Sequence, residues 1–475
     1  MLTLTDLFCG AGGSSTGAEM VPGVEVVMAV NHWRLAVATH AANHPGTAHD
    51  CADISQVDPR RYPSTDLLWA SPECTNHSIA RGMSRRRQAE ARRADLLGPL
   101  EADPPPGEDA AVRSRATMWD VVRFAEHHAY RAIVVENVVE AASWVLFPAW
   151  RSALAALGYD MRLVCLNSMH ASVGGPPAPQ SRDRLYVVAW RRGDAAPDLE
   201  PVIRPWAWCE THGWVRALQV FKDPARRAGR YRSQYIYRCP QASCRNRVVE
   251  PPTLPAASII DWTDPGTRIG DRERPLAPRT LDRIRAGIRR YWGGDWEPRP
   301  PAGQGSDRAP STAAEVLRAR ADSAPPSAVQ PFIAELRGGG SDARPVTDPL
   351  ATVTASGNHH ALVCRGAAPD GAPAGLLMRN NSARGGRAHL TTPASEPART
   401  ITAAGRQSLL TGRTTDLDDV RFRMLTPDEV KLAMAFPGDY VVLGNRRERV
   451  RQAGNAVTPP AARDIVAALA RALIP

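Results

Sequence analysis

Lysine is almost absent from this 475-residue chain: Lys222 and Lys431 are its two lysines, and arginine supplies the other basic side chains. Together with abundant Ala, Pro and Gly, this bias is typical of a high-GC genome and is not a functional signal by itself. No apolar run approaches the roughly 20 residues that cross a bilayer, so the sequence predicts no membrane span. The N-terminus lacks the basic start and apolar core of a secretory signal, and we expect an intracellular, cytoplasmic protein.

A disulfide framework is also lacking, because the eight cysteines stand at irregular spacing in a long chain. Acidic residues are outnumbered, and the formal net charge of +10 favours a polyanionic partner. The hydrophobic content of 43% is ordinary for a globular protein. The length allows two or three domains with a sizeable core.

Residues 1–190 alternate short apolar runs with helical patterns, which is typical of a parallel sheet with helices on both faces. We therefore predict an α/β, doubly wound, Rossmann-like domain that also includes residues 420–475, where helix signals return. Thr426 has the pattern of a helix N-cap, and 459–474 that of an amphipathic helix. The predicted strands are Leu2–Leu7, Val24–Val30, Leu67–Ala70, Ala132–Glu136, Met161–Asn167 and Leu185–Trp190.

Residues 191–419 are rich in Trp, Pro and Arg and show little periodicity, which predicts a second, smaller inserted domain. Within it, the Pro/Ala/Ser-rich segment 298–330 predicts a linker. Two similar segments, 348–357 and 396–405, lie 48 positions apart and predict a pair of strand–turn units in a β-rich domain. In the first domain, 79–116 predicts a long loop.

A glycine-rich segment, Phe8-Cys9-Gly10-Ala11-Gly12-Gly13, follows the first predicted strand and precedes a predicted helix. Glycines let the backbone approach a ligand closely, and a helix N-terminus offers free N–H groups. The alternative is a tight turn without a ligand. The spacing differs from the GxGxxG fingerprint of dinucleotide-binding proteins.

Cys74 follows the strand Leu67–Ala70 within the segment Ser71-Pro72-Glu73-Cys74. It is therefore expected at the carboxyl edge of the parallel sheet, where open α/β folds bind ligands. The turn and polar residues around it favour a nucleophile over a buried thiol. Glu73 is expected to raise the pKa of the thiol and so to disfavour the thiolate.

Three charged residues are candidates for the same site. Glu136 ends the strand Ala132–Glu136, and a solvated strand-end carboxylate is its alternative interpretation. Arg182 and Arg184 alternate just before the strand Leu185–Trp190, so we expect their guanidiniums to point together. Such a pair suits a base carbonyl and a phosphate, whereas a basic strand edge without a role is the alternative.

Two further clusters are visible. Cys209-x2-His212 and Cys239-x4-Cys244 form a Cys3His set suited to tetrahedral structural zinc, with unliganded thiols as the alternative. A run of arginines follows Cys74 and predicts either a solvated face or a loop that grips phosphates. Its members are Arg81, Arg85, Arg86, Arg87, Arg92 and Arg93.

Five segments in this order, 6–13, 71–74, 136–138, 180–184 and 454–457, resemble the motifs of the DNA cytosine-5 methyltransferase family. The resemblance covers roughly the first 190 and last 55 residues. It implies that Cys74 attacks C6 of a flipped cytosine, that Glu136 stabilises N3, and that Arg182 and Arg184 hold the base. Thr75 and Glu73 stand where the family usually has Gln and Pro.

The resemblance also implies a binding site for S-adenosyl-L-methionine. Trp33 and the pair Asp53-Ile54 match the residues that surround the adenine, whereas His32 replaces the usual acidic residue for the ribose. A simple helix cap is the alternative role of Asp53. The implied cofactor-binding residues are Phe8, Gly10, Ala11, Gly12, Gly13, His32, Trp33, Asp53, Ile54, Asn455 and Val457.

The function implied is that of a DNA (cytosine-5)-methyltransferase that acts on double-stranded DNA as a monomer, away from membranes, with a cognate restriction endonuclease as a candidate partner. Three alternatives remain: a tRNA cytosine-5 methyltransferase, a catalytically silent DNA-binding relative, and an enzyme that transfers a modified methyl group. The long region 191–419 with its zinc-type cluster favours DNA over tRNA. The target sequence is not predicted.

Overall fold

A computed structural model describes residues 1–72, 108–291 and 417–474, together with short strands between residues 332 and 411. Cys74, the arginine run that follows it and the predicted linker 298–330 lie outside the described residues. Within the described part of the chain, every helix is too short or too polar to cross a bilayer.

The first sheet is built from seven of the described strands. Their bounds are β1 (Leu2–Leu7), β2 (Val24–Val30), β3 (Ala48–Asp50), β4 (Leu67–Ala70), β5 (Ala132–Asn137), β6 (Tyr159–Asn167) and β8 (Asp183–Arg191), with the short β7 (Gln180–Ser181) outside this sheet. The spatial order is β3-β2-β1-β4-β5-β8-β6. The first five of these strands run parallel, and β8 runs antiparallel to both of its neighbours.

Helices cover both faces of this sheet. The helices in the described residues are α1 (Gly13–Glu19), α2 (Arg34–Asn43), α3 (Glu108–His128), α4 (Phe147–Ala156), α5 (Glu200–Ile203), α6 (Pro278–Tyr291), α7 (Pro427–Ala433), α8 (Arg446–Asn455) and α9 (Pro459–Leu473). Leu67 and Trp69 of β4 face one apolar core, and Leu68 and Ala70 face the other. The first core contains α1 and α9, and the second contains α3 and α4, which confirms the doubly wound α/β prediction.

Strand β2 changes face halfway along. Leu4 of β1 pairs with Val26, but Thr5 pairs with Met28, so one residue of β2 is bulged. Val26 therefore packs in the core with α9, whereas Met28 packs in the core with α3. A bulge of this kind re-aims the side chains that follow it, here at the carboxyl end of β2.

The second sheet lies in the region where a smaller domain is predicted, and all its pairings are antiparallel. It consists of β13 (Thr267–Arg268), β14 (Phe332–Glu335), β15 (Arg344–Pro345), β17 (His360–Arg365), β18 (Ala374–Arg379), β19 (Thr391–Pro393), β21 (Gln407–Thr411) and β22 (Arg421–Met424). Two hairpins precede it, formed by β9 (Trp206–Cys209) with β10 (Gly213–Arg216) and by β11 (Leu218–Phe221) with β12 (Tyr235–Arg238).

The two similar segments meet in space. Each segment contributes one short described strand. These are β16 (Leu350–Ala351) and β20 (Ala398–Thr400), and the two strands pair in parallel. Leu350 lies opposite Ala398, its counterpart 48 positions along the chain. Both residues also pair with Gln180 of β7. The described strands of the two segments therefore lie beside each other and beside β7, which leads to Arg182.

Candidate active site

The glycine-rich segment forms a loop at the carboxyl end of β1. Phe8, Gly10 and Gly12 adopt positive φ angles of 60°, 54° and 89°. The Cys9 N–H donates to the Val30 carbonyl at 3.1 Å, which ties the loop to the end of the neighbouring strand β2. Helix α1 then begins at Gly13, so its first N–H groups open toward this edge of the sheet.

The C-terminal segment closes against this loop. A Cβ atom built on Gly13 would overlap the carbonyl oxygen of Val457, and one on Gly12 would overlap the hydroxyl of Tyr440. The Tyr440 hydroxyl donates to the Ala11 carbonyl at 2.5 Å. Glycine is therefore required at both positions, and the structure brings the segments 6–13 and 454–457 together.

A buried polar network supports the loop from below, and sequence reasoning did not predict it. The Asp6 carboxylate accepts from the hydroxyls of Ser14 and Ser15, at 2.5 and 2.7 Å. Ser15 Oγ lies 2.9 Å from His40, which in turn lies 2.8 Å from His49. Burial raises the pKa of Asp6 to about 6 and lowers the pKa of His40 to about 2, so His40 is a neutral link between α1 and α2.

Side chains predicted to hold a cofactor line the same edge. Phe8 and Trp33 are half-buried, and His32, Asp53 and Asn455 are exposed. The Arg451 guanidinium lies 4.5 Å from the centre of the Trp33 ring, which brings α8 next to the end of β2.

Two predicted cofactor residues serve the core as well. Ile54 and Val457 are 2% and 4% exposed, and each packs in one of the two apolar cores. Asp53 accepts from the Ser55 N–H at 3.1 Å and so caps a short 3-10 turn, which is the alternative role considered for it. Its other carboxylate oxygen is not needed for that cap.

An acid–guanidinium pair lies at the carboxyl end of β5. Arg184 Nε donates to Glu136 at 2.7 Å, and the two side chains are 12% and 10% exposed. The Asn137 amide donates to the Pro72 carbonyl at 3.4 Å. Pro72 is the last described residue before Cys74. The structure thus brings Pro72 together with the predicted motifs at 136–138 and 180–184.

Arg182 departs from the expected geometry. It lies between β7 and β8, which pair in different sheets, and its N–H donates to the Asn167 side chain at 2.9 Å. Because the strand is interrupted there, Arg182 and Arg184 have different partners. Arg182 is 2% exposed, and its guanidinium donates to the carbonyls of Gly454 and Ala456, at 3.3 and 2.9 Å.

Comparison with known proteins finds one similar family. The family model for C-5 cytosine-specific DNA methylase matches residues 2–100 and 365–471. The chain is similar to this family over those two ranges. The matched ranges include the glycine-rich loop, the segment around Cys74 and the segment 454–457, whereas Glu136 and Arg184 lie between them.

Proteins with similar sequences carry Type II methyltransferase names. Type II methyltransferase M.HgiDI of Herpetosiphon aurantiacus is 28% identical over 203 residues, which are 42% of this chain and 55% of that protein. Type II methyltransferase M.AgeI of Thalassovita gelatinovora is 26% identical over 207 residues, 41% of each chain. The chain thus spans about half the length of the curated relatives it matches. Among solved structures, a Spodoptera frugiperda DNMT2 mutant aligns over 99% of both chains with 14% identity and a TM-score of 0.47.

The chain also contains the predicted metal cluster, outside the ranges that the family model matches. The candidate ligand atoms of Cys209, His212, Cys239 and Cys244 all lie within 4.8 Å of one another. His212 Nδ1 is 3.6 Å from the sulfur of Cys209 and 3.4 Å from that of Cys239. The sulfurs of Cys209 and Cys244 are 3.9 Å apart.

These separations agree with a tetrahedral metal site. Zn–S and Zn–N bonds of about 2.3 and 2.0 Å imply ligand–ligand distances of about 3.5–3.8 Å. The second ring nitrogen of His212, Nε2, lies 2.8 Å from the Ser243 hydroxyl, the kind of outer partner that orients a ligating histidine. The residues present therefore fit a structural zinc ion.

Proposed function

We propose that this chain is an S-adenosyl-L-methionine-dependent DNA (cytosine-5)-methyltransferase that acts on double-stranded DNA. The observation that carries the proposal is the Glu136–Arg184 pair at the carboxyl edge of the sheet, adjoining Pro72 two residues before Cys74. The glycine-rich loop lies on β1, which is separated from β5 by β4 alone. In this proposal Cys74, two residues beyond Pro72, supplies the nucleophile at the edge where Glu136 and the glycine-rich loop lie.

The cofactor side of the proposal rests on the residues around the loop. Phe8 and Trp33 offer aromatic rings, and His32, Asp53 and Asn455 offer polar groups to an adenosine. The bound cofactor would supply a methyl group on a positively charged sulfur. The departure at His32 still leaves an imidazole that can hydrogen-bond a ribose hydroxyl.

The proposed reaction begins with extrusion of the cytosine, since C5 and C6 are inaccessible in the duplex. The Cys74 thiolate forms a bond to C6, while Glu136 shares its proton with N3 and so stabilises the charge that develops there. The electron pair released at C5 would then form a bond to the methyl carbon as the methyl–sulfur bond of the cofactor breaks, which leaves the cofactor as a neutral thioether. C5 then loses its proton, the Cys74–C6 bond breaks, and 5-methylcytosine is released with the thiol restored.

Trapping tests this proposal directly. Duplex DNA with 5-fluorocytosine in many sequence contexts, incubated with tritiated S-adenosyl-L-methionine, is expected to give a stable covalent adduct, because fluorine at C5 cannot leave as a proton does. The adduct should disappear in Cys74→Ser. The matched control is Cys51→Ser, since Cys51 is an exposed free thiol.

Other outcomes of the trapping experiment identify the alternatives. Label on tRNA with unlabelled DNA would replace the proposal by the tRNA enzyme. DNA binding without transfer would favour the silent relative. An adduct that persists in Cys74→Ser would contradict the role of that thiol.

We also propose that Cys209, His212, Cys239 and Cys244 hold one structural zinc ion. Structural zinc contributes about 10–16 kcal/mol to the folding of zinc-finger peptides, so we expect metal removal to unfold the segment 206–250. Elemental analysis should give one zinc per chain, lost in Cys239→Ala but retained in Cys165→Ala. Free titration of the three thiols of Cys209, Cys239 and Cys244 in a metal-free, protease-resistant protein would contradict the site.

The remaining expectations are proposals of the same kind. The Type II names of the relatives support a cognate restriction endonuclease as a functional partner. Monomeric action on DNA and a cytoplasmic location stay predictions. The division of the chain at residues 190 and 420 into catalytic and target-recognition regions is likewise a proposal, and β22 (Arg421–Met424) belongs to the second sheet.

A further inference from the structure

The positive charge of the chain is concentrated in one small module. Residues 204–250, which include both hairpins and the Cys/His cluster, contain ten basic and three acidic residues. Their balance of +7 compares with +10 for the whole chain. About a tenth of the sequence therefore carries most of the net charge, and the candidate metal site holds that segment together.

The loop between β11 and β12, residues 222–234, is fixed beside the Glu136–Arg184 pair. The Arg230 guanidinium pairs with the carboxylate of Glu140, in the turn directly after β5. The Tyr231 N–H donates to the Asp183 carboxylate at 2.9 Å, one residue before Arg184. The loop thus contacts both strands that supply the pair.

The same loop presents basic side chains to solvent. Arg226 and Arg232 are each 55% exposed, and Lys222 and Arg227 are exposed as well. The backbone is braced, because Lys222 Nζ donates to the Arg232 carbonyl at 2.7 Å. Arg226 lies 3.7 Å from Asp223, and an exposed ion pair of this kind is weak enough to yield to a phosphate.

We propose that the loop 222–234 binds the phosphodiester backbone of duplex DNA on the flank of the extruded cytosine. The inference rests on the proposed function and extends it to a surface that no sequence motif marks. Exposed guanidiniums on a braced loop suit sequence-independent phosphate contacts. Because these guanidiniums lie beside the Glu136–Arg184 pair, they would hold the DNA strand at the point where the cytosine leaves the base stack.

The test is the salt dependence of DNA binding without cofactor. Wild type and the double variant Arg226→Ala/Arg227→Ala are titrated against a labelled 20-base-pair duplex between 50 and 200 mM KCl. The slope of log affinity against log salt concentration is expected to fall by about 2, one unit for each phosphate that the variant no longer neutralises. Affinity at 50 mM should fall about tenfold or more.

A matched control removes the same charge elsewhere. Arg60 and Arg192 are 76% and 62% exposed and each has an acidic partner. They lie at the opposite edge of the sheet, since Arg192 follows the end of β8 and Arg60 adjoins the start of β5 through His128. Arg60→Ala/Arg192→Ala should keep the wild-type slope within about half a unit.

The outcomes of the salt titration distinguish the proposed interface from its alternatives. If the slope falls equally in both double variants, the effect comes from net charge alone and the proposed interface is wrong. An unchanged slope in Arg226→Ala/Arg227→Ala would contradict the interface as well. If the same titration with unmodified tRNA shows the reduced slope and duplex DNA does not, the partner of the loop is tRNA and not duplex DNA. An unchanged urea midpoint shows that the variant is folded. The binding test does not measure methyl transfer. If the slope changes as expected but no adduct forms with 5-fluorocytosine, the DNA-binding loop is supported and the proposed reaction is contradicted.

Discussion

Glu136→Gln is expected to lower the rate of methyl transfer at saturating DNA about 100- to 10,000-fold, the usual contribution of a positioned acid. Glutamine has the same shape and its carbonyl oxygen can still accept from Arg184 Nε, so the fold should remain. The amide has no proton of suitable acidity to share with N3. Single-turnover transfer rates, measured with saturating DNA and cofactor, check the prediction.

A second glutamate–arginine pair supplies the control. Glu200 accepts from Arg162 at 2.6 Å on the surface, so Glu200→Gln makes the same chemical change away from the carboxyl edge of β5. Its transfer rate should stay within about threefold of wild type. Equal rates in the two variants would remove Glu136 from the reaction.

Gly13→Ala is expected to destabilise the protein by about 3 kcal/mol or more and to abolish cofactor binding. The added Cβ would overlap the Val457 carbonyl oxygen, which is a backbone atom and cannot rotate away. Overpacking of a tight core costs about 1–3 kcal/mol even where side chains can adjust. Urea unfolding and calorimetric titration with S-adenosyl-L-methionine measure the two effects.

Gly46→Ala is the matched substitution. No heavy atom lies within 4 Å of a Cβ built on Gly46, and the same change there should be neutral or stabilise by up to about 1 kcal/mol. If Gly13→Ala unfolds at the same urea concentration as Gly46→Ala, the close approach of the two segments is not a structural requirement.

Local pattern was sufficient for much of the fold. β1, β2 and β4 have the predicted bounds because short apolar runs between turn residues specify buried parallel strands. The Thr426 cap and its reciprocal partner Glu429 are confirmed for the same reason, since a capping box involves residues three positions apart. The position of Glu136 at the carboxyl end of β5 followed from the predicted bounds of that strand, Ala132–Glu136.

The features that could not be predicted depend on pairing between residues far apart in the sequence. Arg182 and Arg184 were expected on one face, but pairing of Gln180 with Leu350 and Ala398 interrupts the strand between them. Nothing near Arg182 in sequence reveals partners that lie more than 150 positions away. The Asp6–His40–His49 network escaped prediction similarly, because its members come from three separate elements.

The short strand β7 links the second region of the chain to the segment that closes against the glycine-rich loop. Strands of both repeats pair with Gln180, and two residues later the Arg182 guanidinium donates to the carbonyls of Gly454 and Ala456. Val457, next in line, abuts Gly13. The second region of the chain and the glycine-rich loop are thus both anchored by residues 180–182, and we expect a shift of one to strain the other.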